Sequence, residues 1–229
     1  KSVLNICGPK ASALLGKLTG IDCGIAQFPF ATCRQVRVGN FSVLAARVTY
    51  VGESGFELHC ANAHVLALYD SLMTAGKEFS IRDAGYRAIE SCRLEKGYRY
   101  WSADITPDCN PYEAGLGFCV DLNKTRFLGK EALALAKSNG PKRRLCCFTL
   151  AQDVILYGKE TIIHNGQVVG VLTSGGYGYT IGKTIAYGYV PTERIAESGY
   201  EIEVLGRRLP ATRHKEALYD PKRTKILAE

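Results

Sequence analysis

From Pro141 onward the chain carries six short runs of strand-forming residues, at 144–150, 161–164, 167–173, 183–190, 201–205 and 209–212. Turn residues separate them. Asn165-Gly166 is a two-residue hairpin signal, because both central positions of the favoured turn need positive φ. Gly206 marks another turn. Short strands at regular spacing, joined by tight turns, predict a small all-β barrel or sandwich. The texture before Pro141 is different, so a domain boundary is expected near 140.

The first half alternates strands with helices. Residues 3–7 read as a strand, punctuated by Gly8-Pro9. Ala11, Leu14, Leu15 and Leu18 then recur at helical spacing. Residues 32–38 form a second strand, and Gly39-Asn40 turns the chain into a third. There Phe41, Val43 and Ala45 alternate with Ser42, Leu44 and Ala46, and the strand is expected to run to Tyr50. Gly52-Glu53-Ser54-Gly55 breaks it. Phe56 and Leu58 then resume the alternation, with Glu57 and His59 on the opposite face. This predicts a hairpin with a tight turn, holding Tyr50 and Glu57 near its mouth. A carboxylate placed there can accept two N–H donors from a flat heterocycle, and a tyrosine can stack on it. Asn62 is expected to cap a helix that Gly76 stops, and Asp83 a second helix that runs to Lys96 and stops at Gly97. Residues 98–140 read as a connecting region with a short helix at 130–137. The fold class is therefore α+β, followed by the small all-β domain.

Several function classes are disfavoured. No apolar run approaches the length that spans a bilayer, so no membrane is expected. The net charge of +7 comes partly from clusters such as Lys142-Arg143-Arg144 and Arg213-His214-Lys215. Aromatics do not interleave with them as in nucleic-acid readers, so they read as a solvated basic face. The nine cysteines include no C-x-x-C pair and are odd in number, which predicts reduced thiols. Cys146 and Cys147 are adjacent in one strand and should point to opposite faces. The histidines form no ligand set of usable spacing, so no metal is expected. Residues 178–184 lack the glycine a phosphate loop needs and the helix that would follow it. Gly175-Gly176-Tyr177-Gly178 reads instead as a tight loop exploiting positive φ. On the helix ending at Lys96, Glu90 lies three residues from both Arg87 and Arg93, so ion pairing is expected.

Three motifs resemble one family. Tyr50-Val51-Gly52-Glu53-Ser54-Gly55-Phe56-Glu57 is similar to the Tyr-Thr-Gly-Glu-x-Gly-Phe-Glu signature of the folate-dependent aminomethyltransferases, the glycine cleavage T-protein family. Arg93-Leu94-Glu95, followed by Tyr98, resembles that family's Arg-Leu-Glu-x-x-Tyr. Thr173-Ser174-Gly175, before the run at 183–190, resembles its C-terminal barrel. Within the family, the motifs beginning at Gly85, Glu95, Pro111 and Lys183 resemble the C-terminal half of sarcosine dehydrogenase most, and dimethylglycine dehydrogenase next.

The resemblance implies that residues 1–140 are the C-terminal part of a folate-binding domain, and residues 141–229 a capping β-barrel. It implies tetrahydrofolate in a channel, with Glu57 bonding the pterin, Tyr50 flanking the channel and Tyr98 packing near the folate. The implied chemistry is transfer of a one-carbon unit from an oxidised methylamine to tetrahydrofolate. The electrophilic iminium would need shelter from water. Two departures stand out. Ile89 occupies the position of a pterin-contacting arginine, and the nearest arginine, Arg87, is displaced by two residues, a rotation of about 200° on a helix. The family's catalytic aspartate would lie upstream, and the covalent-flavin (FAD) domain of the sarcosine dehydrogenase-like enzymes further upstream still. This chain alone is therefore expected neither to bind flavin nor to turn over, and the missing flavin domain becomes its expected partner. The implied location is the mitochondrial matrix. The alternative is a non-catalytic regulatory or scaffold module of the same fold, like the pyruvate dehydrogenase phosphatase regulatory subunit.

Overall fold

A computed structural model of the chain describes residues 1–227. Two compact units divide it: Lys1–Arg93 with the C-terminal residues from Asp220, and Leu94–Tyr219.

The first unit is built on a four-stranded antiparallel sheet of β1 (Ser2–Cys7), β2 (Cys33–Val38), β3 (Phe41–Ala46) and β4 (Gly55–Cys60), in the order β1-β4-β3-β2. Period-two alternation decides its two faces. Ile6, Val36, Val43, Phe56 and Leu58 are buried on one face. They pack with Leu14 and Leu15 of α1 (Ala11–Thr19) and Leu68 and Leu72 of α2 (Val65–Gly76). The opposite face carries Asn5, Glu57, His59, Gln35 and Arg37, which are half-buried or exposed.

Three local expectations change. β3 ends at Ala46, not Tyr50, so the β3–β4 hairpin is closed by the long loop 47–54 rather than a tight turn. The Asn62 side chain accepts a hydrogen bond from Ser2 Oγ instead of capping α2. Asp83 accepts from the Tyr69 hydroxyl at 3.0 Å, three residues before α3 (Tyr86–Lys96) begins. Gly97 does stop α3, with φ at 75°.

The second unit contains α4 (Lys130–Asn139) and a closed barrel of β5 (Arg143–Leu150), β6 (Thr161–His164), β7 (Gln167–Gly178), β8 (Lys183–Pro191), β9 (Tyr200–Val204) and β10 (Arg207–His214). All six expected strands are present. Asn165 and Gly166 both have positive φ, as the two-residue turn between β6 and β7 requires. Leu205 and Gly206 repeat the device between β9 and β10.

Gly175, Gly176 and Gly178 are not a tight loop. They extend β7, and none has positive φ. Their use is close approach: a Cβ on Gly175 would lie 2.8 Å from Leu156, and one on Gly178 2.5 Å from Ile185. All nine cysteines are free thiols. Cys146 belongs to the barrel core and Cys147 to a second cluster with Leu94, Ile185 and Tyr187, so adjacent residues face opposite ways.

The barrel begins at Arg143, while the compact units divide within α3, at Arg93 and Leu94. Two buried carboxylates account for the second position. Glu95 accepts the amides of Thr180 at 2.6 Å and Ile181 at 3.1 Å. Asp104 is 1% exposed and accepts the hydroxyls of Thr173 at 2.5 Å and Ser174 at 2.7 Å, with the Tyr100 amide at 2.9 Å. These bonds hold the chain after α3 against β7 and β8.

Candidate functional site

Glu57 lies on β4, the strand flanked by β1 and β3, opposite Asn5 and Ala46. Alternation along the strand sends Phe56 and Leu58 into the core, so Glu57 and His59 share the open face. The Glu57 side chain is 37% exposed. His59 Nε2 stands 3.2 Å from its Oε2, and the other oxygen can take an N–H from a ligand.

The loop 47–54 before Glu57 is pinned from below. Arg47 is 1% exposed. Its Nη1 donates to the carbonyls of Cys23 at 2.7 Å and Phe28 at 3.1 Å, and its Nη2 to Ser54 Oγ at 3.2 Å. The guanidinium also stands 5.3 Å from the centre of the Phe56 ring. Burial lowers its pKa, opposed by Cys23, yet arginine starts high enough to keep its charge. Thr49 Oγ1 donates to the Glu53 carbonyl at 2.8 Å, and the Gly8 amide to the Ser54 carbonyl at 2.8 Å.

The two motif glycines serve different ends. Gly52 has φ of 81°, a left-handed conformation that residues with a Cβ disfavour. Gly55 permits close approach, since a Cβ there would lie 2.3 Å from the Ile6 carbonyl oxygen. Together they turn the chain and seat β4 against β1, which fixes the face that Glu57 occupies.

The structure places Tyr50 in this loop, half-buried, within the same unit as Glu57. Arg87 is on the exposed side of α3, and Ile89 lines an apolar cavity of about 480 Å³ bounded by β1, α1 and α2. Arg93 is fully buried and paired with Glu90, as its spacing requires. Tyr98 is half-buried in the second unit. Among the described residues no group of three or more metal-ligating side chains assembles. No helix there is long and apolar enough to cross a membrane.

The acceptor chemistry of Glu57 fits the N–H edge of a pterin ring. Glu57 does not line the apolar cavity beside β1.

Comparison with known proteins explains the arrangement. Residues 1–124 match the family model of the GCVT N-terminal domain, and residues 143–220 that of the glycine cleavage T-protein C-terminal barrel domain. The chain belongs to the glycine cleavage T-protein family. Human mitochondrial dimethylglycine dehydrogenase is 43% identical over 98% of this chain and 26% of its own length. Human mitochondrial sarcosine dehydrogenase is 39% identical over 98% of the chain and 25% of its own. The higher figure belongs to the former, so the comparisons do not single out sarcosine dehydrogenase. An aminomethyltransferase of Caldanaerobacter subterraneus is 34% identical over 90% of the chain and 55% of its own length. The crystal structure of the aminomethyltransferase T of the glycine cleavage system from Bartonella henselae superposes with a TM-score of 0.84 at 26% identity, covering 96% of this chain and 60% of that one. The chain thus spans about a quarter of the curated dehydrogenases and little more than half of these aminomethyltransferases.

Arg47, Glu95 and Asp104 are the residues of this T-protein family chain to which sequence reasoning gave no structural part. A signal existed for one: Glu95 closes the Arg-Leu-Glu motif, where its carboxylate ties down the β7–β8 connection.

Proposed function

We propose that this chain is the tetrahydrofolate-binding portion of a sarcosine or dimethylglycine dehydrogenase-like flavoenzyme of the mitochondrial matrix. One observation carries the reading. A carboxylate sits on an open sheet face, at the end of a family signature whose glycines, with the buried Arg47 that precedes it, hold it there. Tetrahydrofolate would supply the nucleophilic nitrogens that accept the one-carbon unit. Glu57 would orient the pterin by accepting its N–H groups, with Tyr50 flanking it and Tyr98 packing near the folate. His59 sets the direction in which the Glu57 carboxylate points. The opposite wall of the channel, the catalytic aspartate and the FAD site would come from a part of the protein outside this sequence. That FAD-bearing part is the partner proposed for this chain.

A second reading has its own support. Ile89, where the family pattern has a pterin-contacting arginine, lines an apolar cavity, and Arg87 is exposed. A module with those features could keep the fold as a regulatory scaffold without using folate. Tetrahydrofolate binding by this chain and by the full-length protein separates the two. The enzyme reading expects binding by the full-length protein, and much weaker binding by this chain. Equal, tight binding by this chain would overturn the proposal that half the channel lies elsewhere. No binding by the full-length protein would overturn the folate reading and leave the scaffold.

A further inference from the structure

The second unit holds a cavity of about 530 Å³ whose lining includes none of Glu57, Tyr50, Arg87 or Tyr98. Three separate stretches of chain bring positive charge to it. Lys96 ends α3 and Arg99 follows it, Arg144 comes from β5, and Arg213 lies near the end of β10 with Lys215 just after it. Five permanent cations therefore face two carboxylates, Glu113 and Glu216. Glu113 is already drawn toward Arg143, which is not part of the lining, with Nε to Oε2 at 3.6 Å.

Two of these cations are held rather than left to swing into water. Arg99 donates from Nε to the Ala114 carbonyl at 2.9 Å and from Nη1 to the Gly97 carbonyl at 2.6 Å. Lys96 is 5% exposed, and its ammonium lies 5.9 Å from the centre of the Tyr219 ring. The His214 imidazole, itself part of the lining and bonded to Thr149 Oγ1 at 2.8 Å, has its pKa lowered by burial, with Lys183, outside the lining, and Arg213, within it, adding to the effect. Like charges converging on one concavity repel, and a bound anion relieves them.

We propose that this cavity binds a small organic anion carrying two or more carboxylate or phosphate groups. The volume lies within the range of small-molecule sites, roughly 300–1,000 Å³. Cations arriving from three directions suit several anionic groups better than one. Leu145, Ile195 and Ala217 supply apolar wall between them, which suits a carbon skeleton. A concavity, rather than a long basic stripe, excludes a nucleic-acid backbone as the natural occupant.

The test is calorimetric titration of the intact chain with citrate and, separately, with pyrophosphate, at constant ionic strength set with chloride. At least one probe is expected to saturate a single site. Binding by citrate alone assigns a carboxylate ligand, and binding by pyrophosphate alone a phosphate ligand. The Arg144→Gln, Lys215→Gln double variant changes two exposed residues and is expected to weaken binding at least tenfold. A Lys137→Gln, Arg207→Gln double variant removes as much charge from exposed residues of the same unit outside the lining and should leave affinity unchanged. Glu216→Gln provides an opposite arm and should tighten binding. Saturation by neither probe overturns the proposal. So does equal weakening by both double variants, which would assign binding to net charge, or no gain from Glu216→Gln.

Discussion

Arg47 shows what a single buried side chain contributes at this site. Two backbone carbonyls and a serine hydroxyl receive its guanidinium, so the loop before Glu57 has one position rather than many. Its part was hidden in the sequence because a buried arginine and a surface arginine look the same there; only the distant carbonyls of Cys23 and Phe28 distinguish them. Glu57 was different. Its place on the face opposite Phe56 and Leu58 followed from strand alternation alone, whereas the His59 contact needed the fold. Cys147 gives a residue-scale prediction. Burial pushes its thiol from 9.0 up to about 12, against a hydrogen bond with Tyr187 that lowers it. Between these values the unfolded chain holds fewer protons than the native one, so stability falls as pH rises; below the lower value this contribution is constant. The slope is about 1.4 kcal/mol per pH unit. Urea unfolding at about pH 8 and about pH 10 should show wild type losing roughly 1–2 kcal/mol more than Cys147→Ala. Equal losses would contradict the assignment.

At the scale of elements, the barrel was the most readable part, because two-residue turns announce themselves. Asn165-Gly166 must have positive φ at both positions, and does. The glycine run at 175–178 misled for a physical reason. Glycine serves both for positive φ and for close approach, and only packing against Leu156 and Ile185 reveals which. The loop 47–54 misled for another: past Ala46 the backbone bonds elsewhere, Arg47 with Thr32 and Ala31 and the Ser54 carbonyl with the Gly8 amide, instead of continuing the β3–β4 ladder. Gly55 lies where these elements meet. A Cβ at Gly55 would fall 2.3 Å from the Ile6 oxygen and 2.8 Å from Cys7 Cα, both backbone atoms that side-chain motion cannot move aside. Gly55→Ala should therefore cost about 2–4 kcal/mol and disturb the β1–β4 ladder. Amide hydrogen exchange would show it as faster exchange in β1 and β4 with the barrel unchanged. Wild-type protection in both strands would contradict the role given to this glycine.

Over the whole molecule, the division into an α+β part and a barrel was legible, and the position at which the compact units part was not. Strand patterns report where the barrel begins, but the buried carboxylates of Glu95 and Asp104 extend that unit back to Leu94, and their partners lie some 70 to 90 residues away. Long-range polar pairing of that kind leaves no local pattern. Family membership rests on both parts of the chain, since residues 1–124 and 143–220 each match a family model. The account's central claim is that Glu57 meets the pterin of tetrahydrofolate. Tetrahydrofolate affinity of the full-length protein carrying Glu57→Gln, set against wild type, tests it most directly. Loss of a charge-assisted hydrogen bond predicts weakening by about 1.5–3 kcal/mol, roughly 10- to 150-fold, with unfolding stability unchanged. Wild-type affinity in that variant would contradict the claim.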